Sequence, residues 1–243
     1  MKAVAELVRG LGDVVFPPVC VNCRGLVASG GEYRHLCAKC AGLLDFVRPP
    51  HCSTCGHPFY GVVEGERMCP HCEGLAPAFR EGRTAVLLKG PGRALVHELK
   101  YHRGLHVAED MAEIFRRSPG VRELAQGATL VPVPLHPRKL RERGYNQSEL
   151  IAAGLARTAG DASVETLLRR VVDTVSQTHH DRRARQANLK NAFAVAPGVP
   201  ISAARHYVLV DDVFTTGSTL NSCALALRRA GAVKLDVVTF GHG

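Results

Sequence analysis

The chain has no tryptophan, and aromatic residues make up only 5% of its 243 residues. Stacking platforms for single-stranded nucleic acid depend on aromatic side chains, so this scarcity argues against one here. No window approaches the roughly 20 apolar residues that a membrane-spanning helix requires. The sequence therefore disfavours an integral membrane protein and a protein that holds nucleic acid mainly by stacking.

A secretory leader is also missing from residues 1–19, because Lys2, Glu6, Arg9 and Asp13 interrupt any apolar stretch there. We therefore expect a cytoplasmic protein with no membrane insertion. Disulfide bonds persist mainly in oxidising compartments. The nine cysteines are accordingly interpreted as metal ligands rather than as a disulfide framework.

Eight of these cysteines form four CxxC pairs, which are Cys20/Cys23, Cys37/Cys40, Cys52/Cys55 and Cys69/Cys72. Thirteen residues separate the first pair from the second, and thirteen separate the third from the fourth. The second half repeats the first at an offset of 32 residues. Two CxxC turns supply the four thiolates of a tetrahedral site, which selects zinc, although an iron–sulfur cluster accepts the same ligands.

This repeat predicts a double zinc ribbon in residues 1–78 with two Zn²⁺ ions, bound most simply in tandem. An interleaved pairing stays open on spacing alone. Sites with four cysteines have no open coordination position, so the zinc would be structural. It would also supply folding energy that so small a segment cannot obtain from an apolar core. The ninth cysteine, Cys223, is expected to be a small buried residue.

Residues 79–243 are predicted to form a second domain, in which predicted strands and helices alternate. The strands are expected at 84–88, 129–131, 165–172, 207–210 and 235–240, and the helices at 91–102, 106–117, 146–157 and from the end of the 215–219 turn to about Arg229. This order predicts an α/β fold with a mainly parallel, doubly wound sheet. Most of the net charge of +9 falls in this part, which fits a polyphosphate ligand, a nucleic-acid surface or a solvated basic face.

The most informative segment is HYVLVDDVFTTGSTL, residues 206–220. A buried strand would deliver Asp211 and Asp212 to the carboxyl end of the sheet, where ligands bind in open α/β folds. The turn that follows consists of Thr215, Thr216, Gly217, Ser218 and Thr219. Its N–H groups, with those of the next helix, form a socket for a phosphate. The acids suit sugar hydroxyls or Mg²⁺.

VLVDDVFTTGSTL resembles the signature of type I phosphoribosyltransferases, which bind phosphoribosyl pyrophosphate (PRPP). The resemblance implies that Asp211 and Asp212 hold the ribose hydroxyls of PRPP. It also implies that Thr215–Thr219 wrap its 5′-phosphate and that Mg²⁺ accompanies the ligand.

Basic residues in three other places are candidates for the pyrophosphate group, since Arg and Lys neutralise phosphate oxygens. They are Lys100, then Arg138, Lys139, Arg141 and Arg143 in segment 131–147, then Arg182 and Arg185 in segment 176–193. The last segment is long and polar, so we predict a lid over the site.

Together with the CxxC ribbons, VPVPLHPRKLRERGYNQSEL, RRARQANLKNAF and VLVDDVFTTGSTL resemble the ComF family. These bacterial proteins are phosphoribosyltransferase-like and are named for a competence protein in natural DNA uptake. The resemblance implies a type I phosphoribosyltransferase fold behind the zinc ribbons and an acceptor that the sequence does not identify. Two other hypotheses stay open: an accessory protein that binds single-stranded DNA and a competence helicase, and a PRPP-sensing regulator without turnover. The oligomeric state is left open.

Overall fold

The structure is a computed structural model, and it describes residues 17–61, 68–171 and 192–243. Within these ranges no helix is both long enough and apolar enough to cross a membrane. The helices are α1 (Ala38–Ala41), α2 (Gly90–Tyr101), α3 (Ala108–Arg116), α4 (Pro119–Ala125), α5 (Pro137–Arg143), α6 (Gln147–Ala156) and α7 (Ser218–Arg229). The strands are β1 (Gly82–Leu87), β2 (Thr129–Pro132), β3 (Ser163–Val164), β4 (Leu168–Arg170), β5 (Phe193–Val195), β6 (His206–Phe214) and β7 (Lys234–His242).

Five strands form one sheet in the order β1–β7–β6–β2–β3, and every neighbouring pair is parallel. The alternating helices make this arrangement possible, because parallel strands need long crossover connections. β4 and β5 form a separate antiparallel pair. The prediction of a mainly parallel sheet is confirmed.

Both faces of the sheet are buried, as the side chains of β6 show. Val208 and Val210 join the core that contains α2, α3, α4 and α6. Tyr207 and Leu209, the alternate residues, join the core that contains α7 and β5. Side chains along a strand alternate between the two faces of the sheet. The continuous apolar run of β6 therefore indicates a strand that is covered on both sides. The sheet is therefore doubly wound, as predicted.

The strand predicted at residues 165–172 is confirmed only at Leu168–Arg170, which form β4 of the small second sheet. β3, the edge of the main sheet, ends just before this region, at Val164. Leu167 and Leu168 are both buried, so the side chains here lack the alternation of a single half-buried strand. β4 depends on its pairing with β5, and the Leu167 carbonyl accepts from the backbone N–H of Ala196 just after β5; local sequence specifies neither contact. α5, inside the basic segment 131–147, was not predicted either.

The ribbons pack directly on the α/β part. In the first ribbon, the backbone N–H groups of Arg34 and His35 donate to the buried carboxylate of Asp110 on α3, at 2.9 and 2.7 Å. In the second ribbon, the Cys55 carbonyl accepts from Thr84 Oγ1 on β1 at 2.9 Å. Each ribbon thus has its own docking point. The division at residues 78 and 79 stays a prediction.

Candidate functional site

The eight CxxC cysteines form two separate clusters. The first cluster is Cys20, Cys23, Cys37 and Cys40, and the second is Cys52, Cys55, Cys69 and Cys72; within each, the ligand atoms lie within 4.8 Å of one another. The pairing is therefore tandem, as the spacing favoured, and the interleaved alternative is excluded. Four converging sulfur atoms fit the tetrahedral shell of structural zinc.

Hydrogen bonds to sulfur orient both clusters. Asn22 Nδ2 donates to Cys40 Sγ at 3.3 Å, and the backbone N–H of Cys69 donates to Cys52 Sγ at 3.4 Å. Burial raises the pKa of the Cys20 thiol, but N–H groups of neighbouring residues outweigh it and bring that pKa down to about 7. Since zinc binds thiolates, such donors prepare the sulfur atoms for the metal.

Both predicted acids lie near the carboxyl end of β6, where they have different partners. Asp211 Oδ1 accepts from Ser148 Oγ on α6 and from the backbone N–H of Asp212, each at 2.9 Å. Asp212 Oδ1 forms an ion pair with Lys100 Nζ on α2 at 2.9 Å. Asp212 Oδ2 is buried and has no hydrogen-bond partner in the described part of the chain. Sequence reasoning missed Ser148, because its only local signal is a serine in the first turn of a helix.

The two carboxylates also influence each other electrostatically. Burial, and then the charge of Asp212, raise the pKa of Asp211 to about 7. The Asp212 N–H, Ser148 and Lys100 act in the opposite direction. Asp211 becomes negatively charged when it loses its proton. The site therefore becomes a stronger hydrogen-bond acceptor as the pH rises through 7. A sugar diol offers donors that would replace the missing partner of Asp212 Oδ2.

The predicted phosphate loop follows β6 at the same edge of the sheet. Gly217 is left-handed, with φ of 70°, and caps the amino end of α7. Thr216 Oγ1 and Ser218 Oγ lie 2.9 Å apart. The loop therefore brings hydroxyl groups to the amino end of a twelve-residue helix, a combination that attracts phosphate.

Gly217 also leaves no space for a side chain. An added Cβ would lie 2.6 Å from Cζ of Phe214 and 2.9 Å from Cδ2 of Leu75. We expect Gly217→Ala to lower the free energy of unfolding by about 2–4 kcal/mol, from left-handed strain and overpacking together. Gly198→Ala is the matched control, since its φ is 76° and nothing lies within 4 Å of its added Cβ; about 1 kcal/mol is expected there. Equal losses in urea unfolding would contradict the steric part of this prediction.

The exit segment is our name for residues 75–78, which follow the second ribbon in the sequence. It connects that ribbon to the phosphate loop. Asn221, in the first turn of α7, accepts from the backbone N–H of Ala78 at 2.7 Å and donates to the Ala76 carbonyl at 3.0 Å. The backbone N–H of Asn221 donates to the Gly217 carbonyl at 2.8 Å. One asparagine therefore connects the exit segment to the loop.

Histidines from the second ribbon gather at the end of β7. The ring of His242 lies 4.8 Å from that of His57 and 5.0 Å from that of His71, and it stacks on Phe214 at 5.4 Å. Burial, followed by the nearby imidazoles of His57 and His71, lowers the pKa of His242 to about 4. His242 is therefore uncharged at neutral pH. No sequence pattern indicated the cluster.

The predicted pyrophosphate residues are distributed unevenly. Arg138, Lys139 and Arg141 are exposed on α5, which has no buried residue. Arg143, also on α5, hydrogen bonds to Gln147. α5 follows β2, which neighbours β6 in the sheet on the side away from β7. Lys100 contacts Asp212 directly. Arg182 and Arg185, with nearly all of the predicted lid, lie outside the described residues. Their phosphate roles stay predictions.

Comparison with known proteins agrees with this architecture. A double zinc ribbon domain family matches residues 11–73. DNA utilization protein YhgH from Salmonella typhi is 39% identical over 154 residues, which cover 60% of this chain and 65% of that protein. Competence protein F from Haemophilus influenzae is 31% identical over 151 residues, covering 60% and 66%. Competence protein ComFC from Streptococcus pneumoniae is 34% identical over 110 residues, covering 45% of each chain.

Among solved structures, a hypoxanthine phosphoribosyltransferase from Staphylococcus aureus is similar with a TM-score of 0.35 and 15% identity, over 56% of this chain and 62% of that one. The structure itself shows a parallel, doubly wound sheet preceded by a double zinc ribbon, with the acids of β6 and the predicted phosphate loop near the carboxyl end of β6. The chain is therefore similar to proteins named for DNA utilization and for competence. It matches just under two thirds of the length of the first curated relatives.

Proposed function

We propose that this protein binds Mg·PRPP at the carboxyl end of β6 and transfers its phosphoribosyl group to an acceptor in the course of DNA uptake. One observation carries the proposal: two carboxylates with unequal partners stand directly before a phosphate loop that begins a helix. An acid pair for a sugar and an N–H socket for a phosphate are the two halves of a ribose 5-phosphate site.

The reaction would be a displacement at the anomeric carbon of the ribose. The bond from that carbon to pyrophosphate breaks and its electron pair leaves with the pyrophosphate, while the acceptor forms the new bond and loses a proton. Asp211 and Asp212 would hold the hydroxyls, and the loop Thr215–Thr219 the 5′-phosphate. Catalysis would then come from positioning and from neutralising the leaving group.

Mg²⁺ would bind together with the pyrophosphate, and its chemistry there is charge neutralisation. The residues present fit that role, because carboxylate oxygens and their bound waters are ligands that Mg²⁺ prefers. Asp212 Oδ2 is such an oxygen, buried and without a partner among the described residues, and its two lone pairs would serve a sugar hydroxyl and a water of the Mg²⁺ shell together. Lys100 and the cations of α5 would add positive charge beside the leaving group.

Calorimetric titration with PRPP, in the presence and absence of Mg²⁺, tests the proposal. We expect micromolar affinity that requires Mg²⁺, followed by pyrophosphate release once a suitable acceptor is supplied. If the zinc-loaded, folded protein shows no heat of binding, the proposal fails. Binding that never leads to pyrophosphate release with any acceptor would favour the PRPP-sensing regulator.

A second candidate function is the binding of single-stranded DNA with a helicase partner, and α5 supports it. This helix exposes Arg138, Lys139 and Arg141 and buries none of its residues, which suits a polyanion more than a core contact. Two of the relatives above are named competence proteins. DNA affinity that falls steeply with salt, disappears when these three residues become alanine and ignores PRPP would favour this function.

A further inference from the structure

We infer that Ser148 is a positioning residue for Asp211, which it holds so that the other carboxylate oxygen faces a cis-diol of the ligand. The inference rests on the proposed function for the identity of the diol. It goes beyond that function because it assigns a task to α6, which carries none of the predicted site residues. A consequence is that the preference of the site for ribose over deoxyribose depends on the buried hydroxyl group of Ser148.

The amino end of α6 is fixed where it meets the sheet. Asn146 caps the helix by accepting from the backbone N–H of Ser148 at 3.1 Å, and its Nδ2 donates to the Val133 carbonyl, just after β2, at 3.0 Å. Asn146 is 4% exposed and Ser148 is fully buried. Since a buried capping pair has little freedom to move, the Ser148 hydroxyl keeps a constant position relative to β6.

That position determines which oxygen of Asp211 is occupied. The hydroxyl of Ser148 and the N–H of Asp212 both donate to Oδ1. Neighbouring Asp212 is arranged in the same way, with Lys100 at Oδ1 and a buried Oδ2 that lacks a partner within the described ranges. Each acid is thus held by one oxygen, which leaves the second for a ligand hydroxyl. Two adjacent acceptors of this kind match the two donors of a vicinal diol.

Ionisation of Asp211 depends on every element packed around it. Asp212 lies beside it on β6, and Lys100 approaches from α2. Cys223 lies on α7, and the charge of Asp211, after burial, raises the pKa of its thiol; Arg170 on β4 acts on that thiol in the opposite direction. Ser148 differs from the charged side chains in this set, because its hydrogen bond, like that of the Asp212 N–H, favours the carboxylate without adding charge.

The test uses ribose 5-phosphate and 2-deoxyribose 5-phosphate with the full-length, zinc-loaded protein. We expect Ser148→Ala to weaken ribose 5-phosphate binding by about tenfold at pH 7 and by less than about threefold at pH 9, because loss of the donor shifts Asp211 towards its protonated form. The wild-type protein and Ser148→Ala bind the same phosphate group of the ligand. The ratio of their affinities for ribose 5-phosphate therefore reports on the Asp211 carboxylate alone. In Ser148→Ala, the preference for ribose 5-phosphate over 2-deoxyribose 5-phosphate should fall together with the affinity. Ser148→Thr, which keeps a hydroxyl, should restore both.

Ser118→Ala is the matched control, since Ser118 is buried and donates to the Ile114 carbonyl at 2.9 Å, remote from β6 in its contacts. It should leave affinity and pH profile unchanged. A uniform loss at both pH values in Ser148→Ala would show a merely structural role and overturn the inference, as would an unchanged affinity.

A second measurement separates this inference from the proposed function. The carboxyl carbon of Asp211, assigned by its absence in Asp211→Asn, can be titrated by NMR without any ligand. We expect its midpoint to move up by about one pH unit in Ser148→Ala. If wild-type protein binds neither sugar but this midpoint moves, the proposed function fails while the positioning of Asp211 stands. If the sugars bind and the midpoint does not move, the positioning role is wrong.

Discussion

Replacing Cys52 and Cys55 with serine is expected to remove the second zinc ion and to lower affinity for PRPP by at least about a hundredfold. The same replacement of Cys20 and Cys23 is expected to remove the first zinc ion and change that affinity by less than about threefold. Structural zinc supplies on the order of 10 kcal/mol or more to the folding of small ribbons. Each ribbon should therefore lose its fold with its metal, and within the described residues the contacts to the phosphate loop come from the second ribbon.

The contacts explain the asymmetry. Leu75 of the exit segment lies against the loop at Gly217, and Asn221 connects that segment to the first turn of α7. The first ribbon docks elsewhere, through Asp110 on α3. Without its metal, the second ribbon would release the exit segment, and the loop would lose the packing that holds its N–H groups in position.

The measurement is the zinc content of each variant together with calorimetry for PRPP. Circular dichroism would show whether the α/β part stays folded, and Asn221→Ala gives an independent check, because it breaks the connection and keeps every cysteine. We expect Asn221→Ala to retain two zinc ions and to lose about tenfold in affinity. Equal losses from the two cysteine pairs would show that the ribbons support the loop equally or not at all.

The features of this molecule that could be predicted from the sequence are those formed by consecutive residues. The CxxC spacing defined both clusters, and the contiguous order of strand, acids, hydroxyl loop and helix placed Asp211 and Asp212 at the correct edge. In each case the chemistry and the geometry lie within one short segment. The thirteen-residue spacers favoured the tandem pairing, but the structure was needed to exclude the interleaved one.

What could not be predicted depends on contacts between distant residues. Ser148 meets Asp211 across 63 positions, and Asn221 meets Ala78 across 143. No local pattern distinguishes these polar side chains from solvated ones. The partial error at residues 165–172 has the same origin, because β4 belongs to a second sheet completed by β5. Local sequence therefore defined the ligand groups, and tertiary packing defined how they are held.

Changing both Asp211 and Asp212 to asparagine is expected to lower PRPP affinity by about two to four orders of magnitude without unfolding the protein. Each carboxylate would lose a charged hydrogen bond to the sugar, of about 1.5–3 kcal/mol. Asparagine keeps the shape of the side chain, so the core around β6 should be preserved. Asp161→Asn is the matched control, since Asp161 is exposed and left-handed, a conformation that asparagine tolerates.

Stability should respond in the opposite direction to function in the single variant Asp211→Asn. The pKa of Asp211 is raised from its ordinary value of 3.8 to about 7 in the folded protein. Stability is therefore lost as the pH rises between these two values, and the cost is complete and constant above 7. Removing the charge should therefore raise the unfolding midpoint at pH 8 and have little effect at pH 4, where wild-type Asp211 is protonated. Asp212→Asn lacks this benefit, because Lys100 loses its ion-pair partner. If the Asp211→Asn protein melts at a lower temperature than wild type at pH 8, the electrostatic cost of Asp211 is contradicted. If the folded double variant still binds PRPP with wild-type affinity, the assignment of both acids is contradicted.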